Sequence, residues 1–203
     1  MKNLKTIVFD LYNTLIEIKE PRHFFLKLFK KSKDGFDLEL SSYLRLVMTK
    51  NTEQLISVLP DEFKELYEEN KDILKEELSS VVVYEEVYDV LNKLKEDFNI
   101  FLISNLATPY KEPFFEKELN KYFQEVIFSC DYGSIKPEKR IFKEIEKITG
   151  SNPNEILIIG DSLKSDICIP KKLGWSFIRV KRNGEIKESF DVVNLKDVIN
   201  RVY

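Results

Sequence analysis

Cysteine is scarce in this sequence: Cys130 and Cys168 are the whole complement among 203 residues. Two thiols are too few for a disulfide framework and fit a reducing compartment. Histidine is scarcer still. With His23 alone, a catalytic triad that needs a second imidazole is excluded, and so is a histidine-rich zinc site. Basic charge is not in excess either. The 32 Lys+Arg face 35 Asp+Glu, a formal net charge of −3, whereas a nucleic-acid partner calls for a basic footprint. No stretch approaches the roughly 18 consecutive apolar residues of a membrane span. The segment Met1–Asp10 meets charge too early for a secretory signal. The expectation is a soluble, cytoplasmic protein with a small-molecule partner and no nucleic-acid or membrane partner. Alanine is nearly missing, with Ala107 alone against abundant Lys, Glu, Ile and Phe. That bias resembles an AT-rich coding sequence or heat adaptation and decides nothing about function.

What is present suffices for a core. Apolar residues make up 43% and aromatics 12%, which excludes disorder for the chain as a whole. Five short apolar runs stand out: Thr6–Phe9, Ile100–Ile103, Val126–Ser129, Ile156–Ile159 and Phe177–Val180. Their β-branched and aromatic content predicts strands buried on both faces. Amphipathic stretches at Glu85–Glu96, Pro113–Lys121, Lys139–Thr149 and Leu163–Leu173 separate the later runs, and Asp191–Val202 reads as a short strand and a closing helix. Alternation of this kind predicts βαβ units, an α/β fold with a parallel sheet.

The rhythm breaks between the first two runs. From Ile16 to Ser80 the apolar residues follow helical spacing, as in Phe24, Phe25, Leu28 and Phe29, then Tyr43, Leu46 and Val47, then Leu55, Leu59, Phe63 and Leu66. A connection of that length is not an ordinary loop. The predicted organisation is a Rossmann-like core at 1–15 and 81–203 with an inserted, all-helical cap at 16–80. Within it, Asp61–Leu78 carries 8 acids against 3 lysines, read as a solvated helix face.

Ligands of open α/β sheets sit beyond the carboxyl ends of the strands. There the sequence places Asp10, then Ser104-Asn105, then Lys136-Pro137, then Gly160-Asp161-Ser162 with Asp166. A carboxylate can act as a nucleophile. Two carboxylates in one crevice repel unless a cation lies between them, and an oxygen-rich donor set suits Mg²⁺. The Lys136 ammonium and the Ser104 hydroxyl are suited to hold phosphoryl oxygens. Each residue also has a plainer reading. Asp10 ends a strand, Tyr12 packs against the cap, Thr14 is a turn hydroxyl, and Asp166 caps a helix.

The ordered set Asp10-Leu11-Tyr12-Asn13-Thr14, Ser104-Asn105, Lys136-Pro137 and Gly160-Asp161-Ser162 with Asp166 resembles the haloacid dehalogenase superfamily. The helical insertion resembles that family's C1 cap. The resemblance implies a Rossmann-like core and an aspartyl intermediate on Asp10. It implies that Thr14, Ser104, Asn105 and Lys136 serve the substrate group. It further implies that Asp10, Asp161 and the backbone carbonyl of Tyr12 hold Mg²⁺, with Asp166 supporting them.

Two departures bear on the reaction. Family phosphatases carry a second aspartate two positions after the nucleophile, and here that residue is Tyr12, a poor base with an ordinary phenol pKa near ~10. Tyrosine at this place resembles the 2-haloacid dehalogenases, whose leaving halide needs no proton. The fourth motif points the other way, because Asp161 and Leu163 stand where those dehalogenases resemble a Ser-x-Asn pattern. The expectation is a Mg²⁺-dependent phosphatase-like hydrolase. A dehalogenase and a non-catalytic binding protein on the same fold are the alternatives. Cys130, Cys168 and Trp175 are expected in the core, and His23 on the cap surface.

Overall fold

The computed structural model describes residues 3–182 and 184–203. Its main sheet has six strands, all parallel: β1 (Thr6–Phe9), β4 (Asn99–Ser104), β5 (Glu125–Phe128), β6 (Ile156–Gly160), β7 (Ser176–Val180) and β8 (Asp191–Val192), in the spatial order β5-β4-β1-β6-β7-β8. The runs are apolar at successive positions because both faces of the sheet are covered. Ile7 and Phe9 of β1, with Ile100, Leu102, Leu157 and Ile159 beside them, pack on one face against α5 (Val87–Leu94) and α10 (Lys196–Val202). Val8, Phe101, Ile103, Ile156 and Ile158 point to the other face and meet Phe142 and Ile145 of α8 (Lys139–Thr149) and Trp175. The Trp175 ring stands edge-on to Phe142 at 5.8 Å.

Chain order places β1 at the centre, with the next core strands laid to one side and the last ones to the other. This reversal opens a crevice at the carboxyl ends of β1, β4 and β6, the switch point where ligands bind in such sheets.

A two-stranded antiparallel ribbon, β2 (Ile16–Ile18) paired with β3 (Val81–Val83), carries the chain out to the helical insertion and back. The insertion contains α1 (Phe24–Lys31), α2 (Leu40–Thr49), α3 (Thr52–Val58) and α4 (Asp61–Ser79). Helical periodicity holds because one face of each helix is buried. Phe24, Phe25, Leu28, Phe36, Tyr43, Val47, Leu55 and Phe63 form a separate aromatic-rich core that reaches Ala107 of the main domain. Among the described residues no helix is long and apolar enough to cross a membrane.

Four expectations change. The ribbon strand β2 falls inside the stretch read as purely helical. Pro113–Lys121 is not one helix: α6 (Glu112–Glu116) stops, Glu118 takes a left-handed backbone at φ 53°, and a 3-10 turn follows over Leu119–Tyr122. Leu163–Leu173 likewise divides. A wide turn over Leu163–Ile167 precedes α9 (Cys168–Leu173), whose first turn accommodates Pro170 and its missing N–H. Cys168 is exposed, and only Cys130 is a core thiol.

The edge strand β8 is fastened by an ion pair. Asp191 is fully buried and accepts two bonds from the Arg179 guanidinium, both at 2.7 Å, plus the Lys187 and Glu188 N–H groups. The Arg179 charge, together with these backbone donors, holds the carboxyl down at about 2 against its burial. A depressed carboxyl stabilises the fold fully above its unfolded value and loses that contribution as pH falls through the folded one. Asp191→Asn is therefore expected to cost about 3 kcal/mol in urea unfolding at neutral pH. The difference from wild type should vanish between about pH 4 and pH 2; a gap that persists in acid would refute the assignment.

Candidate active site at the carboxyl ends of β1, β4 and β6

The first strand delivers Asp10, whose N–H bonds the Ile159 carbonyl at 2.9 Å and so continues the sheet. The chain then turns sharply. Leu15 and Ile16 N–H both bond back to the Leu11 carbonyl, and Asn13 adopts a left-handed backbone at φ 60°, which asparagine tolerates. The tight turn leaves the Asn13 side chain in the same pocket as Asp161, where it works against the rise of that carboxyl's pKa. The sequence reading gave Asn13 no role, and its only signal was its place in the first motif.

At the end of β6, Gly160 solves a packing problem. A Cβ there would lie 2.5 Å from the Asp166 carboxyl carbon, so only glycine lets that side chain fold back against the strand. Asp166 accepts the Ser162 N–H at 2.9 Å, while the Ser162 hydroxyl caps the following turn through the Ser165 N–H at 3.1 Å. The plainer reading of Asp166 as the cap of its helix thus passes to Ser162.

Asn105 spends its amide at both ends on Lys136. Its Nδ2 donates to the Lys136 carbonyl and its Oδ1 accepts the Lys136 N–H, each at 2.8 Å. The Ser129 hydroxyl accepts the Leu106 N–H at 3.1 Å and steadies the same loop. Asn105 accordingly fixes the lysine backbone, and the Lys136 ammonium reaches two carboxylates, Asp10 Oδ1 and Asp166 Oδ1, each at 2.6 Å.

Asp10, Ser104, Asn105, Lys136, Asp161 and Asp166 line one pocket of about 160 Å³, together with Tyr12, Asn13, Ser162 and Ser165. Thr14 lies beneath it, fully buried, with its hydroxyl 3.4 Å from Asp10 Oδ2. Burial pushes the Asp10 carboxyl up; Lys136 opposes this, and Asp166 and Asp161 add to it. Burial and Asp166 likewise raise Asp161. For Lys136 burial works against the charge, yet the two carboxylates more than offset it and raise the ammonium's pKa.

One ammonium cannot balance three carboxylates. Asp10, Asp161 and Asp166 each offer an oxygen within 4.8 Å of the others, and that all-oxygen donor set, carrying excess negative charge in a buried place, fits a hard divalent cation.

Tyr12 points elsewhere. Its hydroxyl donates to the Tyr110 carbonyl at 2.9 Å, and the two rings meet edge-on at 6.1 Å. Burial and the nearby Glu77 raise the phenol's pKa, so it stays protonated. The Tyr110 hydroxyl in turn donates to Glu77 at 2.8 Å. Glu77 is the exception on the acidic helix α4. It is buried, and it accepts the Arg22, His23 and Phe24 N–H groups at the start of α1 at 3.0–3.1 Å. A carboxylate holding orphan N–H groups at a helix start has a clear electrostatic reason to be there. Composition gave no hint of it, because Glu77 reads like its solvated neighbours.

Above the pocket, between insertion and sheet, lies a larger cavity of about 420 Å³ that shares Tyr12, Asn13 and Asn105 with it. His23 is exposed, as expected, and lines this cavity. Arg22 and Arg45, the two arginines of the insertion, are absent from both linings and are paired with Glu20 and Glu138.

Comparison with known proteins identifies the family. The family model for haloacid dehalogenase-like hydrolases matches residues 4–174. A glyceraldehyde 3-phosphate phosphatase from Methanopyrus kandleri is 31% identical over 101 residues, which cover 49% of this chain and 43% of that protein. This chain's match therefore spans less than half the length of that relative. A phosphoglycolate phosphatase from Aquifex aeolicus is 28% identical over 96% of this chain and 97% of its own length. Among solved structures, that of a predicted phosphoglycolate phosphatase from Haemophilus somnus superimposes with a TM-score of 0.71 at 20% identity, covering 100% of both chains. At that identity the likeness speaks for the fold.

Proposed function

We propose that this chain, which belongs to the haloacid dehalogenase-like hydrolase family, is a Mg²⁺-dependent phosphatase acting on a small phosphorylated metabolite with a weakly basic leaving group. The observation that carries the reading is the cluster of Asp10, Asp161 and Asp166 within 4.8 Å, in which one buried ammonium bridges Asp10 and Asp166.

In this reading an Asp10 carboxylate oxygen attacks phosphorus as the bond to the leaving oxygen breaks, and that oxygen departs with the electron pair. Water then cleaves the aspartyl phosphate, releasing inorganic phosphate and restoring Asp10. Lys136 and Ser104 hold the equatorial phosphoryl oxygens. Thr14 supports Asp10 from below, and Asn105 acts through the lysine backbone it fixes. Asp10, Asp161 and the Tyr12 carbonyl would hold Mg²⁺, with Asp166 behind them. The ion would neutralise phosphate charge and relieve the repulsion among the carboxylates.

Tyr12 favours a second reading, a 2-haloacid dehalogenase. Against it stand Asp161, whose charge beside Asp10 calls for a cation, and the absence of Arg22 and Arg45 from the cavity lining.

The test is acetyl phosphate hydrolysis with Mg²⁺ or EDTA, beside a panel of 2-haloacids. Phosphate release is expected with Mg²⁺, falling at least about 100-fold in EDTA. Haloacid turnover in EDTA with acetyl phosphate untouched would overturn the phosphatase. No turnover of either class would leave a binding protein on this fold.

A further inference from the structure

We infer that the cavity above the catalytic pocket selects a phosphate carried on an uncharged, apolar body such as an aryl group; this rests on the phosphatase reading and narrows it. The inference comes from how the polar groups of the wall are already employed.

The cavity is walled on the insertion side by Phe25 and Leu26 of α1 and by Leu44, Val47 and Met48 of α2. Of the polar side chains that complete the lining, Tyr12, Glu77, Asn105 and Tyr110 are committed to protein partners, which leaves Asn13 and the exposed His23. Both polar atoms of the Asn105 amide bind the Lys136 backbone. The Tyr12 hydroxyl donates to the Tyr110 carbonyl, and the Tyr110 hydroxyl donates to Glu77. Glu77 itself receives three backbone N–H groups. Among the described residues no lysine or arginine lines the space.

A carboxylate or polyol entering it would therefore lose its water and find few donors in exchange, which is costly. An apolar ring loses nothing it needs and covers the side chains of α1 and α2. Its phosphate would still reach the smaller pocket, because the two spaces share Tyr12, Asn13 and Asn105. The phosphorylated hydroxy-acid and aldehyde types named for the relatives have polar bodies and suit this wall poorly.

Phosphonates test this without any leaving-group chemistry, since their carbon–phosphorus bond stays intact. Calorimetric titration of the full chain in Mg²⁺ would compare benzylphosphonate with phosphonoacetate, using inorganic phosphate as the reference. Benzylphosphonate is expected to bind at least about tenfold more tightly than phosphonoacetate. Met48→Lys, at a half-buried position that tolerates a long side chain, should reduce that ratio at least about fivefold. Leu44→Lys provides a second variant should the first fail to fold.

Phosphonoacetate binding as tightly as benzylphosphonate would overturn the inference, and so would an unchanged ratio in both folded variants. If phosphate and both phosphonates fail to bind and acetyl phosphate is not hydrolysed, the phosphatase reading falls and takes this one with it. Acetyl phosphate hydrolysis with the ranking reversed would remove the apolar specificity alone.

Discussion

Asp10→Asn is expected to reduce acetyl phosphate turnover by at least about 10⁴-fold, because a nucleophile that forms the intermediate has no partial substitute. The same change should leave the protein folded and no less stable. In the wild-type pocket three carboxylates surround one ammonium, and burial together with Asp161 and Asp166 pushes Asp10 upward. Asparagine removes one of those charges while preserving shape, and Lys136 keeps Asp166 as its partner at 2.6 Å. Breaking one ion pair at a buried lysine ordinarily destabilises; here the second carboxylate prevents that. Steady-state kinetics and a thermal melt, each in Mg²⁺ and in EDTA, check both halves. Turnover within about tenfold of wild type would remove Asp10 from the chemistry. Lost turnover with a collapsed melt would show instead that Asp10 is needed to fold the pocket.

The two halves of this site differed in how far the sequence revealed them. Strands buried on both faces must be apolar at every position, so β1, β4 and β6 were visible as runs. The residues beyond their ends were then placed by topology, since a parallel sheet with a central first strand has one crevice. The ribbon β2–β3 escaped because three residues per strand are too few for a period. At the fourth motif the residues were legible and their packing was not. There a side chain, Asp166, folds back on its own strand, and the glycine that permits it carries no hydrophobic signal.

What composition could not distinguish was the use of polar groups. Glu77 lies in a run of surface acids, yet three backbone N–H groups and a phenol converge on it. Tyr12 appears in the first motif as a missing acid. In three dimensions it is the first member of a chain of contacts from the loop after β1 through Tyr110 and Glu77 to the start of α1. The chain joins the sheet loops to the insertion. It also explains why the Tyr12 hydroxyl is unavailable to a leaving group, since its proton is already given to the Tyr110 carbonyl.

Tyr12→Asp is therefore expected to raise hydrolysis of glycerol phosphate by about 100-fold while leaving acetyl phosphate within a few-fold. An alkoxide leaves poorly without a proton, whereas acetate leaves well without one. The surroundings would supply the acid in the right state: burial and then Glu77 already raise the group at this position, and Asp10 and Asp161 lie in the same pocket. Nearby negative charge raises a carboxyl's pKa, so the new residue would be protonated further into the neutral range than a free aspartate. The gain should accordingly decline as pH rises through that raised value. Tyr12→Asn serves as the control, because it opens the same space without an exchangeable acid proton. Equal gains from Asp and Asn would mean that the tyrosine ring obstructs access. No gain on glycerol phosphate from Asp would mean that proton transfer to the leaving oxygen does not limit the enzyme. A gain confined to Asp, largest for the most basic leaving group and lost at high pH, would identify Tyr12 as the residue that restricts this site to leaving groups that need no proton.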